Sequence, residues 1–347
     1  MRIHHLCKVV SLFLLTSCSQ SAVEDVDDLY PGYQGGKLVY IDRRGAIIIR
    51  TPASTGERFS EGFAAARGPS GWGFLDAKGK WAIDPTFEEV KGFHLGLAAV
   101  KRKTAGGGKW CFVTPRGEIA FETDYAIVGN FSGGLASVQS LIRGQPGKIG
   151  FIDRQGKEIV APKYDVVGPF IDGRARVGLD HKYGFIDSSG KEVIALKYEG
   201  ATDFGDGLAF VTSGGKSGFI DPNETWILDT KFEVLSSFSG GVAAVSAPVD
   251  ESGKTVLKVG YMDKTGEIVI KPQFDRAEPF SEGFAAVAIG DNDGEQKWGY
   301  VNIEGHLVIK PQFSLAMSFV NDMAEVFIDK QRCYIRPIGA IVWRDQP

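Results

Sequence analysis

An all-β fold built from tandem repeats is what this sequence predicts, and three observations predict it. Turn glycines recur at Gly45, Gly79, Gly117, Gly156, Gly190, Gly266, Gly305 and Gly339, with Glu224 in the slot after Gly190, at spacings of 34–42 residues. A phenylalanine column keeps the same beat at Phe59, Phe93, Phe131, Phe170, Phe204, Phe238, Phe280 and Phe319. After residue 30, short apolar runs alternate with Gly, Asp, Asn and Pro, and no helical periodicity is sustained, which is how short strands joined by tight turns read. Two independent markers on one period identify a tandem repeat.

In chain order, the first element is a targeting segment and lies outside the fold. Arg2 and Lys8 give a positive start, and the apolar run Val9–Leu15 is too short to span a bilayer. Leu15-Thr16-Ser17-Cys18 resembles a bacterial lipobox, in which the Cys is acylated and becomes the new N-terminus. Residues 1–17 are thus expected to be a cleaved lipoprotein signal peptide, with Cys18 the lipid attachment site; acyl chains there would hold the protein on a membrane without a spanning helix. Ser19 after the Cys favours the outer membrane if the cell is Gram-negative. Residues 18–36, polar, acidic and Gly-containing, read as a flexible tether. The repeat domain is expected over 37–347.

One unit shows the design. Gly150-Phe151-Ile152-Asp153 alternates as a strand, and Asp153-Arg154-Gln155-Gly156 has the Asp and Gly that a type I turn prefers, the carboxylate capping backbone N–H groups. Lys157–Val160 returns, and Pro162 ends the ladder. After a bend come Phe170 and then Ala175-Arg176-Val177 as another strand, so the unit holds about four short antiparallel strands. Length varies almost only where that strand turns back into the next Gly-aromatic strand, at 101–109, 139–148, 246–258 and 288–297. Insertions confined to one turn project from one face of a repeat array, often the binding face.

Trp72-Gly73-Phe74-Leu75-Asp76, Trp298-Gly299-Tyr300-Val301-Asn302 and the Gly-Phe-Ile-Asp copies resemble WG-repeat proteins, a family rich in bacterial members. The resemblance spans residues 38–343. Trp occupies the leading position at Trp72, Trp110 and Trp298, Tyr183 substitutes once, and Ile149, Ser217 and Val259 depart from the pattern. The resemblance implies a β-rich repeat array and brings no catalytic residues with it. Nine Gly-Phe-Ile-Asp-type pairs against eight Phe-led pairs leave one pair over, which points to an open, capped, solenoid-like stack of eight to nine units. A closed propeller-like ring of about eight blades is the alternative.

No convergent chemistry stands out. The repeated Asp42, Asp76, Asp153, Asp187, Asp221 and Asp263 are turn caps, because an active site needs one special copy. Asp291-Asn292-Asp293-Gly294-Glu295 lacks the spacing of a calcium loop. His94, His181 and His306 are too scattered for zinc. Gly215-Lys216-Ser217 lacks the leading Gly of a phosphate loop, and Ser60, Ser132 and Ser239 sit in repeat copies rather than in a nucleophile elbow. Cys111 and Cys333 each replace a small residue at one repeat position and read as buried thiols. Trp72, Trp110, Tyr183 and Trp298 form a candidate stacking row for sugar rings or partner side chains, against the simpler role of packing between repeats. The net charge of −4 with scattered basic residues gives no nucleic-acid footprint. The expectation is a non-enzymatic lipoprotein of the bacterial envelope, with no metal or cofactor, whose repeat surface binds another envelope protein. The alternative is a module for a glycan such as peptidoglycan.

Overall fold

The computed structural model describes residues 25–105, 107–251, 253–290 and 295–346. Nine antiparallel sheets follow one another along the chain, at 30–50, 55–87, 89–122, 127–164, 166–198, 200–229, 233–274, 276–313 and 315–344. They are called blades 1 to 9 here. Every blade is contiguous in sequence and its strands pair in chain order, four to a blade except for three in blade 1. Blade 5 shows the plan, with strands Val166–Ile171, Arg174–Leu179, Lys182–Asp187 and Glu192–Tyr198.

The expected turn follows the third strand. In blade 5 the Gly190 amide donates to the Asp187 carbonyl at 2.9 Å. The Asp187 carboxylate accepts from the Ser189 and Lys191 amides at 2.9 and 3.1 Å. Glu224 takes the glycine slot of blade 6 at φ 65°, a conformation that costs a non-Gly residue about 1 kcal/mol or more. It is held there by the Tyr198 hydroxyl, which donates to its carboxylate at 2.9 Å, and by Lys197 at 2.8 Å.

Alternation along the third strand explains the repeated Gly-Phe-Ile-Asp. Side chains on a strand point to opposite faces in turn, so Phe185 packs forward against blade 6 while Ile186 packs back against blade 4. Both faces are buried because a blade stands on either side. The third-strand aromatic of each blade meets the phenylalanine column of the next, from Tyr40–Phe59 at 4.6 Å between centroids to Phe151–Phe170 at 5.9 Å.

The ninth interface decides the topology. Blade 9 packs directly on blade 1 through Met323, Tyr334 and Trp343 against Tyr30, Val39 and Ile41. Tyr334 and Tyr30 lie 5.3 Å apart, repeating the aromatic pair of the other interfaces. The Tyr334 hydroxyl and the Arg332 guanidinium both donate to the Pro31 carbonyl, at 3.0 and 2.8 Å. The Gln346 amide donates to the Tyr33 carbonyl at 2.9 Å. That bond matches the one from the Asp165 amide to the Gly178 carbonyl, where the chain crosses from blade 4 to blade 5. The C-terminal residues thus begin the first strand that blade 1 lacks.

Nine blades with nine interfaces make a closed ring, a nine-bladed β-propeller. The favoured open stack is therefore incorrect and the alternative, a closed ring, holds; its nine blades fall within the eight to nine units expected, one more than the eight or so named for a ring. The leftover Gly-Phe-Ile-Asp-type pair has a partner after all, because Tyr30 supplies the missing aromatic. Tyr30 sits in the segment expected to be tether. That boundary is corrected too: Val26–Asp28 form a 3-10 turn and Tyr30–Gln34 a strand of blade 1, so the folded part reaches back to residue 25 rather than 37. The predicted leader and Cys18 lie outside the described residues.

Candidate functional site

Two rims follow from the strand order. Ile171 and Asp172 of blade 5, Asp203–Asp206 of blade 6, Leu235–Ser239 of blade 7 and Ala277–Pro279 of blade 8 line one cavity of about 740 Å³, so the ends of the first strands and the segments after them face the centre. The first-to-second and third-to-fourth turns share one rim: the Lys264 ammonium of blade 7 donates to the Asp206 carbonyl of blade 6 at 2.6 Å. The second-to-third hairpins form the other rim, and all four variable segments of the sequence belong to it.

These hairpins differ in height. Blades 1, 5, 6 and 9 turn in two residues of positive φ, as at Gly35-Gly36 and Asp180-His181, the geometry that matches the twist of a hairpin. The pairs of blade 5 run from Arg174↔Asp187 to Leu179↔Lys182, whereas those of blade 7 run from Val242↔Asp263 to Glu251↔Lys254. Four further pairs at about 3.4 Å each lift the blade 7 hairpin roughly 13 Å above that of blade 5. Blade 4 is also extended, with strands Leu135–Ile142 and Gln145–Ile152, and so is blade 8 with Phe284–Gly290 and Gln296–Asn302. Blade 3 keeps short strands, Ala98–Arg102 and Lys109–Val113, and is longer only in the connection between them. The lengthened hairpins thus stand in two adjacent pairs, blades 3 and 4 and blades 7 and 8, on opposite sides of the ring. They carry exposed apolar residues, Ile142 beside the blade 4 turn at 62% and Leu257, paired with Pro248 at the start of the blade 7 extension, at 65%.

Ion pairs anchor the hairpin bases. Lys258 lies within 2.8 Å of Asp275 and 3.0 Å of Glu251, and hydrogen bonds to Asp275 and then Glu251 raise its pKa. Lys109, Lys148 and Arg332 hold Asp124, Asp165 and Asp345 in the same way, at 3.1, 2.5 and 3.0 Å.

The aromatic row is not a surface. Trp110 is 4% exposed, and its indole N–H donates to the Ala126 carbonyl at 3.0 Å; Trp298 is 9% exposed, against Phe313 and Phe319. Each stands two residues before the third-strand aromatic and so points into the same interblade core. The candidate stacking row is therefore wrong at Trp110 and Trp298. Trp72 and Tyr183 are half-buried, Tyr183 with the Arg176 guanidinium 5.6 Å from its ring centroid.

The remaining polar candidates hold the ring. Hydroxyls of Ser60, Ser132 and Ser239 donate to the carbonyls of Phe93, Phe170 and Phe280 in the next blade, at 2.7, 3.3 and 2.6 Å. Beside them runs a belt that sequence reasoning misses. Glu61 accepts from the Leu95 and Gly96 amides at 2.6 and 2.8 Å, Asp172 from Gly207 at 2.9 Å, Asp206 from Gly241 at 2.7 Å, and Glu282 from Asn321 at 2.6 Å. The spacing of these carboxylates one repeat before a turn glycine, or before Asn321-Asp322 in the case of Glu282, is the signal that could have found them. Asp203, in the central cavity, is held by Arg176 at 2.9 Å.

His94, His181 and His306 fall in blades 3, 5 and 8, and no group of metal-ligating side chains occurs among the described residues. Residues 291–294 of the considered calcium loop lie outside them. Gly215 closes a hairpin turn and Lys216-Ser217 begin the following strand. Cys111 and Cys333 are free, buried and in different interfaces, and burial pushes both thiols up.

Comparison with solved structures finds propellers of low identity. The Hsv2 protein of Kluyveromyces lactis with loop 6CD replaced matches at 9% identity and a TM-score of 0.38, over 72% of this chain and 97% of that one. The β-propeller domain of the Trilobed protease from Pyrococcus furiosus matches at 10% identity and 0.38, over 91% and 97%. The Pan2 WD40 domain of Neurospora crassa matches at 13% and 0.33, over 82% and 88%. At such scores the fold assignment rests on the nine interfaces instead. Comparison with curated proteins gave no match. The model of the WG containing repeat matches residues 72–110, 149–183, 183–216, 218–246, 260–292 and 298–331. These segments cover more than half of the sequence and coincide with the blade repeat, so the chain belongs to the family of WG containing repeat proteins.

Proposed function

We propose that this protein is a non-enzymatic lipoprotein of the bacterial envelope, anchored through Cys18 and docking a protein partner on its hairpin rim. The observation that carries the reading is the two groups of lengthened hairpins, with Ile142 and Leu257 exposed on those of blades 4 and 7, on a ring whose repeated polar groups are taken up in holding blades together. Elongation that adds nothing to the interblade core needs another use, and presenting apolar side chains to a partner is one. A glycan module has less support, since Trp110 and Trp298 are core. In a Gram-negative cell the site would be the outer membrane.

The test is affinity capture from envelope extract with residues 19–347 as bait, beside a variant whose hairpins at 101–109, 139–148, 246–258 and 288–297 are cut to two-residue turns. A partner that binds the first bait and is lost from the second supports the reading. A partner retained by both baits, or glycan alone, contradicts it.

A further inference from the structure

We propose that the turn rim of the ring, at the edge shared by blades 8, 9, 1 and 2, lies against the membrane surface, so that the hairpin rim points away from the bilayer. This orientation rests on the lipid anchor at Cys18 proposed above.

The described chain starts on that rim. The Gly62 amide in the first turn of blade 2 donates to the Asp27 carboxylate at 2.9 Å, and the Asn321 side-chain amide in the first turn of blade 9 donates to Asp28. Six residues, 19–24, separate Cys18 from Asp25. Even fully stretched, the seven steps from Cys18 to Asp25 cover about 25 Å. The ten-residue strands of blade 7 rise on the order of 34 Å from the same rim. The leash is longer than the five-residue strands of blades 1 and 9 but shorter than the blade 7 hairpin is tall. A ring standing on that hairpin would hold Asp25 beyond the reach of an acyl chain on Cys18, whereas the turn rim lies within it.

The chemistry of this edge suits a headgroup surface. Ile338, in the third-to-fourth turn of blade 9, is 85% exposed, and Ile303 and Val320 on the neighbouring turns are exposed too. Arg336 of the same turn donates to the Arg43 carbonyl at 3.4 Å, and Arg43 lies 3.6 Å from Asp322. Apolar side chains at turn tips beside guanidinium groups match the boundary between acyl chains and anionic headgroups. Exposed apolar residues occur on the hairpin rim as well, so the position of the leash is what chooses between the two faces.

The test uses the full chain, expressed with its lipid modification, on vesicles of phosphatidylethanolamine and phosphatidylglycerol carrying a headgroup-level nitroxide quencher. A fluorophore is placed on Ile338→Cys, Ile303→Cys, Ile142→Cys or Leu257→Cys, one position at a time; Cys111 and Cys333 are buried and resist labelling. The expected result is quenching several-fold stronger at 338 and 303 than at 142 and 257. Equal or stronger quenching at 142 or 257 overturns the orientation while leaving the anchor intact. Flotation with the vesicles is scored first, beside Cys18→Ser. A protein that does not float, or floats equally with Cys18→Ser, overturns the anchor reading and the orientation with it.

Discussion

At the scale of the residue, the glycine before the third-strand aromatic is a packing requirement rather than a preference. A Cβ on Gly260 would stand 2.4 Å from the Ile270 carbonyl oxygen and 2.6 Å from the Pro272 nitrogen, because the register of the outer strand breaks there and folds the backbone over it. A side chain fills this slot only in blades 1, 3 and 9, as Val39, Cys111 and Cys333. Their outer strands Ile47–Arg50, Ile119–Glu122 and Ile341–Arg344 stop after four residues; blade 6 stops as early, at Trp226–Asp229, but there the Trp226 ring and the Leu228 carbonyl crowd Gly218. Gly260→Ala is therefore expected to lower stability by about 1–3 kcal/mol, the usual cost of overpacking, read as a lower midpoint in denaturant; an unchanged midpoint would refute the packing role. The glycine and the phenylalanine column are legible because they recur. Core packing is one of two roles that the sequence allows Trp110, and composition cannot separate it from a surface row. Only the alternation of the strand with a blade on both sides does so.

At the scale of the element, the turns are the most readable feature, since Asp and Gly at fixed offsets state their own hydrogen bonds. Hydrogen bonds from the Ser189 hydroxyl and nearby amides hold the Asp187 carboxyl below the usual carboxylate range, and the Thr265 hydroxyl and nearby amides do the same for Asp263. A carboxylate with a lowered folded pKa contributes stability above its unfolded value of about 4. That contribution is lost as pH falls through the folded value. Thermal stability is thus expected to drop on acidification below about pH 4, and a variant with Asp187→Asn and Asp263→Asn should lose part of that dependence. Asn302 already caps the His306 amide at 2.8 Å in blade 8, so the substitution fits the turn. Identical pH slopes for the two proteins would sink the capping account. The hairpin lengths are legible as insertions, but their division between two opposite sides of the ring needs the blade order in space.

At the scale of the whole molecule, closure is hidden in the sequence because its decisive residues lie outside the repeat. Tyr30 follows an acidic stretch that composition assigns to tether, and Gln346 sits beyond the last periodic strand. Neither resembles the element it replaces, yet Tyr30 fills the aromatic position and Gln346 the crossover position of blade 1. Counting pairs along the chain therefore favours an open stack, while the contacts between its ends make a ring. Closure also fixes the rest of the functional account, since the two rims and the opposed hairpin pairs exist only in a ring. Pulsed dipolar spectroscopy tests it most directly, with spin labels on the hairpins of blades 1 and 9 through Lys37→Cys and Lys330→Cys. The same measurement on the neighbouring blades 5 and 6, through His181→Cys and Lys216→Cys, calibrates the distance between adjacent hairpins. A closed ring predicts that the 37–330 distance falls in the same range as the 181–216 distance. A 37–330 distance several times longer than the 181–216 distance, as for the two ends of a stack, would contradict it.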